Sequence, residues 1–461
     1  GLHVAMADPT NTQAVTFLEK KTGIPVTSYY ATKKDIEDTL VLYKKDVIKA
    51  YEEIINESIE KSHGAKVKDP SIVKIVDTTV SYAYQNKASD IHIEPYEERS
   101  LIRFRIDGIL HDIVDLPKEL QPQIVTRVKV LAKLRTDEHQ AAQDGKITYK
   151  MAEETLDIRV SIVPITYGEK VVMRLLSERS RAFSLRDLGF GFDDLKKLED
   201  AYKKPHGMIL ATGPTGSGKT TTLYEMLKVL NKREINIMTI EDPIEYDIEG
   251  VNQIQVNEKT GLTFANGLRS IVRQDPDIIL VGEIRDEETA DISINAAMTG
   301  HLLLSTLHTN DAATTIPRLL DFGVEPFLIA STLNIIIAQR LVRKICNKCR
   351  YSTEISVSDK GKVGVITAFI KKYYGDSEKI RVYKGKGCPV CHSTGYVGRV
   401  GIFEVLVIDD EVREMIIAKK DSAELQAQAL KKGMTSMFED GIKKVKEGVT
   451  TIEEILRVTK E

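Results

Sequence analysis

The segment Gly213-Pro214-Thr215-Gly216-Ser217-Gly218-Lys219-Thr220, continued by Thr221, constrains this chain more than any other. It directly follows the apolar run Met208-Ile209-Leu210-Ala211 and leads into a helix-like stretch at 221–227. A strand, a glycine-rich turn, Lys-Thr and a helix, in that order, wrap backbone N–H groups around a polyphosphate at the positive end of the helix. Lys219 is expected on the β- and γ-phosphates, and the Thr220 hydroxyl on Mg²⁺. A glycine-rich turn that binds nothing has no need of both flanks. The expected ligand is a nucleoside triphosphate.

At 461 residues the chain exceeds what one hydrophobic core serves, and about three domains are expected. Its 42% hydrophobic and 29% charged residues describe an ordinary globular protein. Lys plus Arg is 65 and Asp plus Glu 68, a formal net charge of −3, which does not advertise a nucleic-acid binder. No apolar run is long enough to span a bilayer. The first residues lack a basic stretch followed by an apolar core, so no secretory signal is expected. They also lack an initiator Met and open as if mid-strand, as a piece of a longer chain would. A cytoplasmic location is expected by default.

The cysteines fall as Cys346-x-x-Cys349 and Cys388-x-x-Cys391. Two such knuckles suit tetrahedral Zn²⁺ with no open position, a structural rather than catalytic site. A complete Cys₄ set leaves His392 without a ligand role, and a reducing compartment disfavours disulfides.

Residues 1–62 read as a small α/β unit: a strand at 2–6, a helix at 12–21, and a long amphipathic helix from about 33 carrying Ile36, Leu40, Tyr43, Val47 and Tyr51. A second domain, 63–176, opens on a polar linker. A helix at 72–85 is followed by strands at 90–94, 101–106 and 109–114, a helix at 120–134, and strands near 155–162 and 170–175. Asp107-Gly108 between two strands signals a hairpin. Alternation places Ile102, Phe104 and Ile106 on a buried face and Arg103 and Arg105 together on the other, about 7 Å apart. That pair could grip a phosphate, although the pattern by itself favours a solvated outer face. A polar linker at 177–185 precedes the nucleotide domain, 186–340, where short β and α runs alternate as in a parallel sheet. A tetracysteine zinc subdomain (341–400) and a helical tail (401–461) complete the chain. Thr451-Ile452-Glu453-Glu454 has capping-box spacing before the last helix.

The apolar run Ile278-Ile279-Leu280-Val281 has the look of a central parallel strand and ends at Gly282-Glu283. A carboxylate at the carboxyl end of such a strand lies where open α/β sheets bind ligands. With Gly282 where an Asp is usual, Glu283 must serve, on the water shell of the metal or as the base. Ile237-Met238-Thr239-Ile240 ends in Glu241-Asp242-Pro243, which makes Glu241 a rival; the sequence does not separate the two. His301 and His308 bracket a third buried strand. His308 at its carboxyl end either senses the γ-phosphate or is structural.

Together these residues resemble the motor ATPases of type IV pilus assembly and type II secretion, over nearly the whole chain. Four boxes carry the likeness: the loop at 213–220, the aspartate box 240–245, the Walker B box from Arg273 through Asp286, and the histidine box from Thr299 through Asn310. Gly282 is typical of that family. The resemblance implies a RecA-like P-loop ATPase domain preceded by a PAS-like α+β domain, with a zinc-binding subdomain and a helical C-terminus. It implies that Arg103 and Arg105 clamp the nucleotide, with His111 standing where a further arginine is often found, and that Arg318 lies near it. ATP, Mg²⁺ and Zn²⁺ are the implied cofactors. The implied partners are five further copies in a homo-hexamer and an inner-membrane platform protein, with no nucleic acid and no membrane contact except through the platform. The implied location is the cytoplasmic face of the inner membrane. The zinc knuckles and the N-terminal unit argue against the shorter retraction motor, and Asn257 through Phe264 with the helical tail favour pilus extension over type II secretion. The first 62 residues look like the later part of a domain that binds cyclic di-GMP in some relatives; such binding is not expected here. A nucleic-acid translocase on the same core, or a nucleotide-gated binding module without turnover, are the readings from other classes.

Overall fold

A computed structural model describes residues 1–32, 35–36, 39, 53, 70–151, 155–176, 184–356 and 379–459. Nearly all of the expected long helix from 33, the linker before 70 and nearly all of the linker at 177–185 lie outside the described residues. The chain forms two units, Gly1–Ser180 with Lys386–Gly395, and Arg181–Gly385 with Tyr396–Glu461.

In the first unit, β1 (Leu2–Met6) and β2 (Val26–Tyr30) pair in parallel, joined by the helix Thr12–Thr22. That helix is capped by the Asn11 side chain and ends at left-handed Gly23. The larger part is a six-stranded antiparallel sheet built from β3 (Asp90–Pro95), β4 (Arg99–Ile106), β5 (Ile109–Pro117), β6 (Gln143–Lys150), β7 (Thr155–Ile165) and β8 (Gly168–Leu176). Its order is β5-β4-β3-β8-β7-β6. Ile91, Ile93, Ile102, Phe104, Val171 and Met173 share one core with Ile75 and Val80 of the helix Pro70–Gln85 and Ile124 and Val128 of the helix Gln121–Leu131. The hairpin forms as the Asp-Gly pair dictates: Asp107 and Gly108 both take positive φ, 50° and 87°. The helix expected at 120–134 starts with a 3₁₀ turn, Lys118–Leu120, and stops at Leu131, with Lys133 at a φ of 57°. Strand β6 is an addition to the sequence reading. Only Ile147 is buried along it, so its alternation carries no apolar signal.

The second unit is built on β9 (Gly207–Thr212), β10 (Ile237–Glu241), β11 (Asn252–Gln255), β12 (Ile278–Val281), β13 (Leu302–Leu307) and β14 (Leu333–Ile345). A ribbon of β15 (Arg350–Ser356) and β16 (Lys379–Gly385) follows, and β17 (Tyr396–Val407) returns to the main sheet. The sheet order is β11-β10-β12-β13-β9-β14-β17, parallel throughout except for the β14–β17 pair. Every residue of β9, β12 and β13 is buried, as strands covered on both faces require. Along β9, Met208 and Leu210 enter one core and Ile209 and Ala211 the other. The first core takes in Leu268, Ile294 and Ile316 from covering helices; the second takes in Leu198, Leu223 and Leu227. Residues 401–407, expected in the helical tail, belong instead to β17. Ile402, Phe403, Val405 and Leu406 are buried there, and the helices begin only at Asp410. Among the described residues no helix is long and apolar enough to cross a membrane.

Candidate active site

Because four neighbouring strands run parallel, their carboxyl ends meet along one edge. Gly213 follows β9, Glu241 ends β10, Glu283 lies two residues past β12, and His308 immediately follows β13. Cross-links between these ends fix their spacing. Thr306 Oγ1 donates to the Gly282 carbonyl at 2.7 Å, and the Ile284 N–H donates to the Thr306 carbonyl at 3.0 Å, so Glu283 sits in a staple between two strands. Thr309 N–H donates to Thr212 Oγ1 at 2.9 Å, tying the His308 loop to the end of β9.

The loop between β9 and the helix Lys219–Leu230 has the conformation its glycines permit. Gly213, Gly216 and Gly218 take φ of 141°, 78° and 90°, a region costly for side-chain-bearing residues. Pro214, Thr215 and Gly216 form its exposed rim, while Thr220 and Thr221 in the first helical turn are half-buried. Lys219 is 8% exposed, and its ammonium donates to the carbonyls of Gly213 at 2.7 Å and Pro214 at 3.4 Å. Burial draws its pKa below that of a free lysine, and the nearby Glu283 charge opposes this. Ser217 Oγ is buried without a hydrogen-bond partner. A desolvated cation, an unpartnered hydroxyl and a ring of main-chain groups fit an anionic polyphosphate. The donor set suits ATP with Mg²⁺, and Thr220 and Thr221 bring hydroxyls in the first helical turn.

Glu283 and Glu241 differ sharply. Glu283 is half-buried; Arg285 donates to one of its oxygens, and His308 Nε2 lies 3.2 Å from the other. Burial pushes its pKa up, but Arg285 and His308 outweigh that and hold it below the usual carboxylate range, so it is ionised at neutral pH. Glu241 is 2% exposed, and both its oxygens are committed. Tyr224 donates to one; Thr239 Oγ1 and Gln253 Nε2 reach the other at 2.6 and 3.2 Å. A carboxylate so engaged and so buried braces β10 against the helix Lys219–Leu230.

Arg103 and Arg105 lie in the first unit, side by side on the sheet face opposite its core. Arg103 Nε donates to Asp112 at 2.9 Å and its other arm lies 3.5 Å from Glu94; Arg105 donates to the Gly108 carbonyl at 2.9 Å and lies 3.7 Å from Asp90. Lys170 and Arg174 pair with the same Glu94 and Asp90. The face is thus a lattice of alternating charge, a detail the strand pattern could not supply. Arg318 is exposed on the helix Thr315–Asp321, its guanidinium 4.6 Å from the Phe322 ring centroid.

Cys346, Cys349, Cys388 and Cys391 place their sulfurs within 4.8 Å of one another. The N–H groups of Cys388 and Gly395 point at Cys391 Sγ from 3.1 and 3.2 Å. Main-chain donors around clustered sulfurs suit thiolates, so the set fits a tetrahedral metal such as Zn²⁺.

Sequence reasoning missed Gln339 and Tyr224. Both act through contacts with distant residues, and neither belongs to a local motif.

Comparison with known proteins matches the description "Type II/IV secretion system protein" to residues 65–457. The chain is 45% identical over 393 residues to the type II secretion system protein E of Pseudomonas aeruginosa, covering 85% of this chain and 76% of that one. It is 41% identical over 477 residues to the type IV pilus assembly ATPase PilB of Myxococcus xanthus, covering 99% and 82%. Among solved structures, the pilus retraction motor PilT with bound ADP aligns at a TM-score of 0.56 and 26% identity, over 83% of this chain and 96% of that one. The Legionella pneumophila ATPase DotB shares the fold at a TM-score of 0.62 and 21% identity, over 86% and 97%.

Proposed function

The chain belongs to the type II/IV secretion system family of ATPases, and from that membership we propose a hexameric motor that hydrolyses ATP to drive type IV pilus extension through an inner-membrane platform protein. The observation that carries the reading is the shared strand edge on which the glycine-rich loop, Glu283 and His308 converge, with Glu283 ionised and reachable while Glu241 is used internally.

Lys219 exchanges its two loop carbonyls for phosphate oxygens when ATP enters. Mg²⁺, when bound, neutralises phosphate charge, with Thr220 as the protein's contribution to its shell. Glu283 orients the attacking water; its low pKa makes it a positioning group rather than a strong base, which suffices for phosphoryl transfer. His308 holds Glu283 on one side and faces the place of the γ-phosphate on the other. Arg103 and Arg105 supply positive charge from the first unit, and their release after hydrolysis is the mechanical event. Arg318 flanks the nucleotide. The four cysteines hold a structural Zn²⁺. The motor works at the cytoplasmic face of the inner membrane, bound there by the platform.

A type II secretion motor is the second reading, favoured by the 45% identity to a protein of that name. Phosphate release by the purified protein tests the shared core of both. Lys219→Ala should lose nucleotide binding and turnover together. Glu283→Gln should bind ATP yet turn over at least about 100-fold more slowly. Unimpaired turnover in either variant refutes the site.

A further inference from the structure

Gln339 sits in the middle of β14 and is 2% exposed. Its Nε2 donates to the Ser217 carbonyl at 2.8 Å, and its Oε1 accepts from Thr222 Oγ1 at 2.8 Å. The Ser217 carbonyl can only accept, so it fixes which end of the amide faces the loop; the oxygen is then left for the Thr222 hydroxyl. Both ends of one buried amide are thereby spent on the glycine-rich loop and the first turn of its helix.

The consequence for a bound phosphate follows from the planarity of the peptide. In a trans peptide, C=O and N–H point to opposite sides. Drawing the Ser217 carbonyl toward β14 turns the Gly218 N–H the other way, away from the strand and toward the hollow of the loop. Gly218 sits against the same side chain: a Cβ there would lie 3.2 Å from Gln339 Nε2. Gly213 is seated on the same residue, since a Cβ there would collide with the Gln339 carbonyl oxygen. The loop is therefore moulded on Gln339 at both ends.

We infer that Gln339 is a positioning residue for the nucleotide: its amide sets the peptide orientation that aims the loop's N–H groups at the phosphates. The inference rests on the reading of 213–220 as the nucleotide loop. Gln339→Glu keeps the shape but opposes an acceptor to the Ser217 carbonyl, and Gln339→Leu removes both bonds. Thr222→Val removes only the orienting hydroxyl.

Calorimetric titration of the whole protein with ADP and Mg²⁺, and separately with pyrophosphate, tests this, each variant held well below its own melting temperature. Gln339→Glu and Gln339→Leu should weaken ADP at least tenfold, and pyrophosphate by a similar factor, because the defect lies at the phosphate end. Thr222→Val should weaken both about threefold. Affinities within twofold of the parent for the folded Gln339 variants overturn the inference, whatever their melting temperatures, since a packing role moves stability alone. If neither Gln339 variant folds, Thr222→Val decides by the same criterion. A parent protein that binds ADP no better than Lys219→Ala refutes instead the assignment of the loop.

Discussion

Glu241 and Glu283 close two adjacent strands of one sheet, and only their surroundings distinguish them. Glu241 accepts from Tyr224, Thr239 and Gln253 in the interior. The Tyr224 phenol, pushed far above its ordinary pKa by burial and by that carboxylate, stays a donor at any physiological pH. Glu241→Gln puts an amide N–H₂ where one of these donors now points and leaves a buried donor unmatched, at a cost of about 1–3 kcal/mol. Urea unfolding should show that loss, while kcat of the folded fraction stays within a few-fold. If stability is unchanged and turnover collapses, Glu241 is the group that handles water and the assignment to Glu283 fails.

At the scale of elements, β14 joins the loop to the tail. Gln339 grips the loop, while four residues on Arg343 holds Glu454 of the helix Ile452–Thr459 through both its main-chain N–H and its guanidinium. The capping residue Thr451 accepts from the Glu454 N–H, as its spacing predicts, but the Glu454 carboxylate is taken by Arg343 and Arg457. Burial would raise its pKa; the arginines overcome that and bring it from 4.5 down to about 2. A depressed carboxylate pKa stabilises the fold above its unfolded value, here by on the order of 3 kcal/mol, and the benefit is lost as pH falls from 4.5 to about 2. Glu454→Gln should therefore lower stability by about 2–3 kcal/mol at pH 7, and the gap between variant and parent should narrow steadily through that acid window. A constant gap would mean that packing, not charge, holds the helix. The contrast also marks what a sequence can disclose. The glycine-rich loop, the apolar parallel strands and the cysteine knuckles are legible because their physics lies within a few neighbouring residues. Gln339 meets Ser217 across 122 residues of chain, and nothing local on β14 announces it. Strand β6 and the strand at 401–407 escaped for related reasons. One has almost no apolar side to show, and the other has apolar residues without a clear period.

At the scale of the whole molecule, the clamp proposed for Arg103 and Arg105 is tested by what holds the two side chains within their own unit. Arg103 and Arg105 pair with carboxylates on the neighbouring strands β3 and β5, and Lys170 and Arg174 share Glu94 and Asp90 with them. Their side chains are 28% and 36% exposed. The Arg103–Asp112 pair is exposed and holds about 1 kcal/mol or less, while the buried Glu94 and Asp90 keep Lys170 and Arg174 as partners when an arginine leaves. If the proposed clamp operates, each arginine gives up partners whose acids stay paired, and the developing negative charge of the γ-phosphoryl group is what draws it away. Replacing both arginines by alanine should thus lower kcat by about 100- to 1,000-fold, while the affinity for ADP, which lacks that phosphate, changes by less than about threefold. The folded stability should fall by only about 1–3 kcal/mol, because the buried Glu94 and Asp90 keep Lys170 and Arg174 as partners. Measured turnover equal to the parent's would return Arg103 and Arg105 to the role the strand pattern alone suggests, a solvated face balanced by its own acids, and the motor would need its clamp from elsewhere.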